Sequence, residues 1–207
     1  MMTKKKQNIL ENLNPALALV EFSSIAGGIL AADAMIKKAP INVIKTGTVQ
    51  PGKYLVLIGG SVADVEESLA AGEMVGERYI LDTIFLPDVH PEVVNSIGGG
   101  RIPDANDAVG VIETTTVSAA IHAADAGIKG AYVHLIEVRL ADGLGGKGIT
   151  LFSGLVADVE AAVEIGSESL SDPKLLVETV VIPKLHPEMW ANLSDATRFK
   201  TRVTGDS

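Results

Sequence analysis

Two tandem α+β units are what this chain predicts, each running β-α-β-β-α-β. Two observations carry that prediction: the sequence repeats itself at a nearly constant offset, and within each copy the apolar spacing switches between strand and helix periods. Residues 21–34, EFSSIAGGILAADA, match residues 113–126, ETTTVSAAIHAADA, at an offset of 92. Gly52-Lys53 recurs as Gly146-Lys147, and VADVE at 62–66 recurs identically at 156–160, both at an offset of 94. Pro87-Asp88-Val89-His90-Pro91-Glu92 answers Pro183-Lys184-Leu185-His186-Pro187-Glu188 at an offset of 96. Small loop insertions produce such a drift, and the order of the blocks is kept. The chain is a tandem duplication.

Each element has its own signal. ALALVEF (16–22) and AVGVIET (108–114) are short apolar strands. Ser23 to Ala39 and Thr115 to Ala131 carry small and apolar residues at helical spacing, with Ser or Thr available to cap the start. INVIKTGTV and YVHLIEVRL are second strands, and KYLVLIGG and KGITLFSG are third strands. Helices come next in SVADVEESLAAGEMVG and LVADVEAAVEIGSESL, then the strands ILDTIFLP and ETVVIP, then short helices opened by His-Pro-Glu. This order is that of a ferredoxin-like split βαβ unit. It places a first domain at 16–98 and a second at 107–193, with an N-terminal extension at 1–15 and a C-terminal tail at 194–207. NSIGGGRIPDAND (95–107) has the Gly, Pro, Asn and Asp of a connector.

Composition narrows the function. Of the 207 residues 47% are hydrophobic, yet the apolar runs fall far short of the roughly 20 residues a membrane helix needs. Much apolar surface must therefore be hidden, in the chain's own core and against copies of itself. Cysteine is absent, which excludes disulfides, thiolate nucleophiles and cysteine-held metal clusters. The start, MMTKKKQNILENLNP, lacks the apolar segment of a secretory signal, so a cytoplasmic protein is expected. A net charge of −9 argues against nucleic acid, whose phosphates call for a basic face.

The stretch Gly143-Leu144-Gly145-Gly146-Lys147-Gly148 spells G-x-G-x-x-G, the pattern of a dinucleotide loop. That loop needs a helix N-terminus directly after it, because the helix supplies free N–H groups and a positive dipole end. Gly148 instead leads into ITLFSG, a strand, so a hairpin is expected. In the first copy the same three glycine positions hold Val49, Pro51 and Tyr54, and only Gly-Lys survives in both.

A duplicated β-α-β-β-α-β unit with AADA-x-x-K in its first helix resembles the shell proteins of bacterial microcompartments, in their tandem-domain, trimer-forming class. The resemblance runs from Ala16 to about Trp190 and rests on AADAMIK (31–37), QPGK (50–53) before LVLIGGSVADVEESLAAG, and P-x-x-H at 87–90, each with a counterpart. The AADA helix precedes the Gly-Lys loop in both copies, so the strand order is expected to be unpermuted. The resemblance implies a homotrimer forming a flat pseudohexamer that tiles beside hexameric, pentameric and other trimeric shell proteins, without a cofactor. It implies that the loops Val49-Gln50-Pro51-Gly52-Lys53 and Asp142-Gly143-Leu144-Gly145-Gly146-Lys147 line a central pore crossed by small metabolites. Glycine there would let backbones crowd one axis. Lys53 and Lys147, if turned to the opening, would attract anions, and Asp142 would oppose this. Lys37 and Lys129 fall at the tile edge, with His90 and His186. The family often has P-R-P-H near the last strand; here the arginine position holds Asp88 and Lys184. Some relatives hold an iron–sulfur cluster at the pore through cysteine, which this chain lacks.

No catalytic set emerges. His90, His122, His134 and His186 show no metal-ligand spacing. His90 and His186 precede Pro-Glu and suit helix caps, and His122 stands three residues before Asp125, within reach of a local hydrogen bond. Asp64-x-Glu66 and Asp158-x-Glu160 begin two amphipathic helices, where they compensate the dipole, and Ser61-x-x-Asp64 resembles a capping box. The sequence therefore predicts a structural shell protein and no enzyme. Two alternatives stand beside it: a trimeric ferredoxin-like regulator of the PII type that binds a small molecule, and a nucleotide-dependent enzyme built on the 143–148 loop.

Overall fold

A computed structural model describes residues 16–97 and 108–195, with side chains to 193; the N-terminal extension, most of the connector and nearly all of the tail lie outside the described residues. The chain divides into two compact units, residues 1–98 and 99–207. The first unit runs β1 (Ala16–Phe22), α1 (Ile25–Lys38), β2 (Val43–Val49), β3 (Lys53–Gly60), α2 (Val62–Gly76), β4 (Ile80–Leu86) and α3 (Pro91–Ile97). The second runs β5 (Ala108–Thr114), α4 (Val117–Gly130), β6 (His134–Leu140), β7 (Gly148–Gly154), α5 (Val156–Glu168), β8 (Leu176–Ile182) and α6 (Pro187–Asp195). One-turn 3-10 helices at Glu77–Tyr79 and Pro173–Leu175 lead into β4 and β8.

Each sheet has four antiparallel strands, ordered β2-β3-β1-β4 and β6-β7-β5-β8. This is the unpermuted ferredoxin-like order the repeat predicts. Leu19 of β1 stands opposite Leu57 and Ile84, and its counterpart Val111 of β5 opposite Leu151 and Val180. Period-two alternation sends Ala16, Ala18, Val20 and Phe22 to the helix side of the first sheet. There they meet Ala31, Ala32 and Met35 of α1 and Val65 and Leu69 of α2. Each such fully buried side chain of Val or Phe size contributes roughly 1.5–3 kcal/mol. In the second unit part of the opposite sheet face is also covered: Val109, Ile136 and Leu151 pack with Leu185 and with Trp190 and Leu193 of α6.

The first helix of each unit starts two residues later than the spacing predicts. Ser23 and Thr115 are spent elsewhere, donating their backbone N–H to Tyr79 O at 2.7 Å and Leu175 O at 2.8 Å. The next residue caps instead: Ser24 Oγ accepts from Gly27 N and Thr116 Oγ1 from Ala119 N, each at 3.2 Å. The same anchor explains the 3-10 turns, which hold those carbonyls in place and carried no separate signal in the sequence.

Candidate functional site

The hairpin tips that join β2 to β3 and β6 to β7 are the candidate site. In the first, Val49 pairs with Lys53 across a turn made of Gln50, Pro51 and Gly52. Gly52 N donates to Val49 O at 2.9 Å, Gly52 has φ +104°, and the Gln50–Pro51 bond is cis.

The second tip is longer and folds on itself. Leu140 pairs with Gly148, and inside that closure Ala141 N donates to Lys147 O at 3.0 Å, Leu144 N to Ala141 O at 2.8 Å and Lys147 N to Leu144 O at 3.3 Å. Such nested turns require left-handed backbone. Ala141, Gly143, Gly145 and Gly146 have φ of 52°, 72°, 63° and 89°. Glycine adopts these angles without the penalty a side chain incurs. A β-carbon at Gly52 or at Gly145 would meet nothing within 4 Å. Within the chain, then, backbone angle and not crowding calls for glycine at these two positions. Asp142, Gly143 and Gly145 are exposed, Leu144 is half-buried and Gly146 is buried. The Arg139 guanidinium donates to Asp142 O at 2.9 Å, tying the loop to its own strand.

Both Gly-Lys lysines turn back onto glutamates of the neighbouring central strand. Lys53 Nζ lies 3.1 Å from Glu21 Oε2 and Lys147 Nζ 2.7 Å from Glu113 Oε1. Glu21 and Glu113 are themselves repeat equivalents, so the duplication carries the whole ion pair. The settings differ: the Glu21 and Lys53 side chains are 0% and 16% exposed, those of Glu113 and Lys147 33% and 48%. Sequence reasoning passed over these glutamates. The signal was present, because opposite charges on adjacent strands recur together in both copies.

The last glycine of the motif has another duty. A β-carbon on Gly148 would collide with Ala120 of α4 and lie 2.9 Å from Thr116 O. In the first unit the sizes are exchanged: Tyr54 stands where Gly148 does, and Gly28 where Ala120 does. A β-carbon on Gly28 would lie 2.6 Å from the Tyr54 ring. Gly148 is therefore a helix–sheet packing residue. The loop joins two antiparallel strands, and α5 begins only at Val156, so no helix N-terminus faces the glycines. The dinucleotide geometry is not met.

The edge candidates have local partners. Lys37 Nζ is 2.6 Å from Asp33 and Lys129 Nζ 2.7 Å from Asp125, both i,i+4 pairs inside AADA-x-x-K. Asp125, offered by the sequence to His122, thus accepts from Lys129. His90 Nδ1 accepts from Glu92 N and His186 Nδ1 from Glu188 N, each at 3.3 Å, which makes both rings helix caps as expected. Ser61 Oγ accepts from Asp64 N at 3.2 Å, the N-cap half of the expected capping box, and donates its own hydroxyl proton to the Asp64 carboxylate at 2.6 Å. Its repeat equivalent Leu155 makes no side-chain cap. Among the described residues no three His, Cys, Asp or Glu gather as they would around a metal ion. No helix among them is long and apolar enough to cross a membrane.

Both units match the model of the BMC domain, at residues 16–89 and 108–185. The chain belongs to the BMC-domain family. It is 39% identical over 181 residues to the bacterial microcompartment shell protein PduT of Citrobacter freundii, covering 87% of this chain and 98% of that protein. It is 27% identical to the carboxysome assembly protein CcmO of a Synechocystis strain, over 88% of this chain and 65% of that protein. Among solved structures, a microcompartment protein from Desulfitobacterium hafniense is similar with a TM-score of 0.75 and 41% identity, covering 84% of this chain and 97% of the other.

Proposed function

We propose that this BMC-domain protein is a structural shell protein of a bacterial microcompartment, working in the cytoplasm as a tile of the protein layer around encapsulated enzymes. Three copies close into a flat pseudohexamer of six ferredoxin-like units. The tips Val49–Lys53 and Asp142–Lys147 meet at its axis as a pore for small metabolites, and Lys37, Lys129, His90 and His186 lie toward the rim, beside other shell proteins. The observation that carries this reading is the match to a shell protein across nearly its whole length, in both halves at once.

Two ion pairs in the hairpins bear on the charge of such a pore. Lys53 and Lys147 are each neutralised by a glutamate. At the second tip Asp142 is exposed and present three times in a trimer. A ring of like carboxylates slows anions and favours cations and neutral polar molecules.

Light scattering coupled to gel filtration tests the assembly. The expected mass is three times 21.6 kDa, and concentrated protein, or protein co-expressed with hexameric shell proteins, should give sheets or closed particles in negative stain. A monomer that never forms sheets overturns the reading.

A further inference from the structure

The two hairpin tips differ in length, and one side chain goes with the difference. At matching register, opposite Leu55 in the first unit and opposite Ile149 in the second, stand Gly47 and Arg139. Gly47 belongs to the short tip, which closes with a bond from Gly52 N to Val49 O. Arg139 belongs to the long tip, where Gly143, Gly145 and Gly146 follow closely. Glycine loses the most backbone freedom on ordering, so such a run holds one shape only against a steep entropy cost. The bonds from Leu144 N and Lys147 N join loop residues to one another. Arg139 adds a bond of another kind. Its guanidinium, carried on a half-buried side chain of β6, donates to Asp142 O at 2.9 Å. A hydrogen bond given by a cation is stronger than one between neutral groups.

Gly143 suits the same contact. A β-carbon there would lie 3.2 Å from Arg139 Nη2, closer than ordinary packing allows. The guanidinium thus rests against loop backbone at a point where a side chain would crowd it. Around Gly47 the space is open, and a β-carbon would meet nothing within 4 Å. The long arginine arm and the long glycine loop occur together in one copy, and the other copy has neither. We propose that Arg139 is the strut that fixes the second tip, and through it the place of Asp142 and the width of the pore. Arg139 is a positioning residue, acting on a passing solute through the loop it holds. The strut stands on the hairpin geometry alone; its effect on passage rests on the pore proposed above.

Hydrogen exchange of the full-length assembled protein, read by mass spectrometry, compares wild type with Arg139→Met and Arg139→Lys. In Arg139→Met the segment 141–147 should exchange about tenfold faster or more, as loss of a charged hydrogen bond implies, while β5 keeps its rate. Arg139→Lys keeps the cation and a donor without the planar fork, and should fall between the two. In shells loaded with a reporter enzyme, Arg139→Met should also speed entry of a neutral substrate, because a loosened loop changes width as well as charge. Unchanged exchange over 141–147, or an equal rise in β5, overturns the strut, as does a change confined to an anionic substrate with exchange unaltered. Faster exchange at the tip with neutral entry unchanged supports the strut and removes the second tip from the path of solutes.

Discussion

Lys53 holds Glu21 at 3.1 Å in a place where the carboxylate is wholly buried, while the equivalent Lys147 holds Glu113 at 2.7 Å in partial contact with solvent. One ion pair, written twice, therefore has two energetic meanings. Removing a cation from a buried pair strands the desolvated charge and costs about 3–5 kcal/mol, whereas an exposed pair is worth about 0–1 kcal/mol. Lys53→Met should lower the midpoint of urea unfolding sharply and Lys147→Met barely. The comparison is read on the dissociated chain, so that subunit contacts do not enter the measurement. Equal shifts would mean that burial does not govern the two pairs.

The exchange of sizes between Gly28/Tyr54 and Ala120/Gly148 gives a second prediction. Gly148→Ala drives a methyl into Ala120 and toward Thr116 O, an overpacking expected to cost about 1–3 kcal/mol. Adding Ala120→Gly removes the alanine methyl and should recover part of that loss. A double-mutant cycle measures the coupling, which should be at least about 0.5 kcal/mol for residues in contact. Strict additivity would count against the packing role.

These two relationships show where the sequence was informative and where it fell silent. Strand alternation and helix spacing placed every strand and long helix within two residues, because apolar periodicity reports which face is buried. The N-cap at Ser61 and the histidine caps were legible too, since capping is chemistry between near neighbours. The lysines at 53 and 147 were legible only as charges. Their glutamates lie 32 and 34 positions earlier, and local spacing does not encode a partner across a sheet. Gly148 looked like a nucleotide glycine for the same reason: the alanine that demands it sits on a helix packed above.

Helix entry offers a third test. Ser61 caps α2, but Leu155 begins α5 with no side-chain acceptor. Ser61→Ala should cost about 1 kcal/mol, and Leu155→Ser should stabilise the dissociated chain by a similar amount by supplying the missing cap above Asp158. Thermal unfolding of the two variants should move in opposite directions. A destabilised Leu155→Ser would assign the leucine a packing role that outweighs the cap.

Asp142 places one exposed carboxylate per copy at the proposed pore. With Lys147 drawn onto Glu113, Asp142→Asn should raise entry of small anions into assembled shells several-fold while leaving neutral solutes unchanged. Asp142→Lys should raise it further. The readout is the initial rate of an encapsulated reporter enzyme with an anionic substrate, compared with a neutral one. Unequal effects on the two substrates separate charge from pore width. An identical response of both would remove Asp142 from the pore.

The edge lysines are not equivalent, and this shapes the test of tiling. Lys37 is 72% exposed and its partner Asp33 56%, so their pair contributes little to the fold. Lys129 engages Asp125, whose side chain is only 6% exposed, so its loss disturbs folding as well as any edge. Lys37→Ala should therefore leave unfolding midpoint and trimer mass unchanged while weakening sheets in negative stain. Lys129→Ala should lower the midpoint as well, and Lys129→Arg should restore it by keeping the cation on Asp125. The double alanine variant should abolish sheets and leave trimers at low temperature. Sheets of normal extent from that double variant would move the edge contact away from the AADA-x-x-K helices, whatever happened to stability.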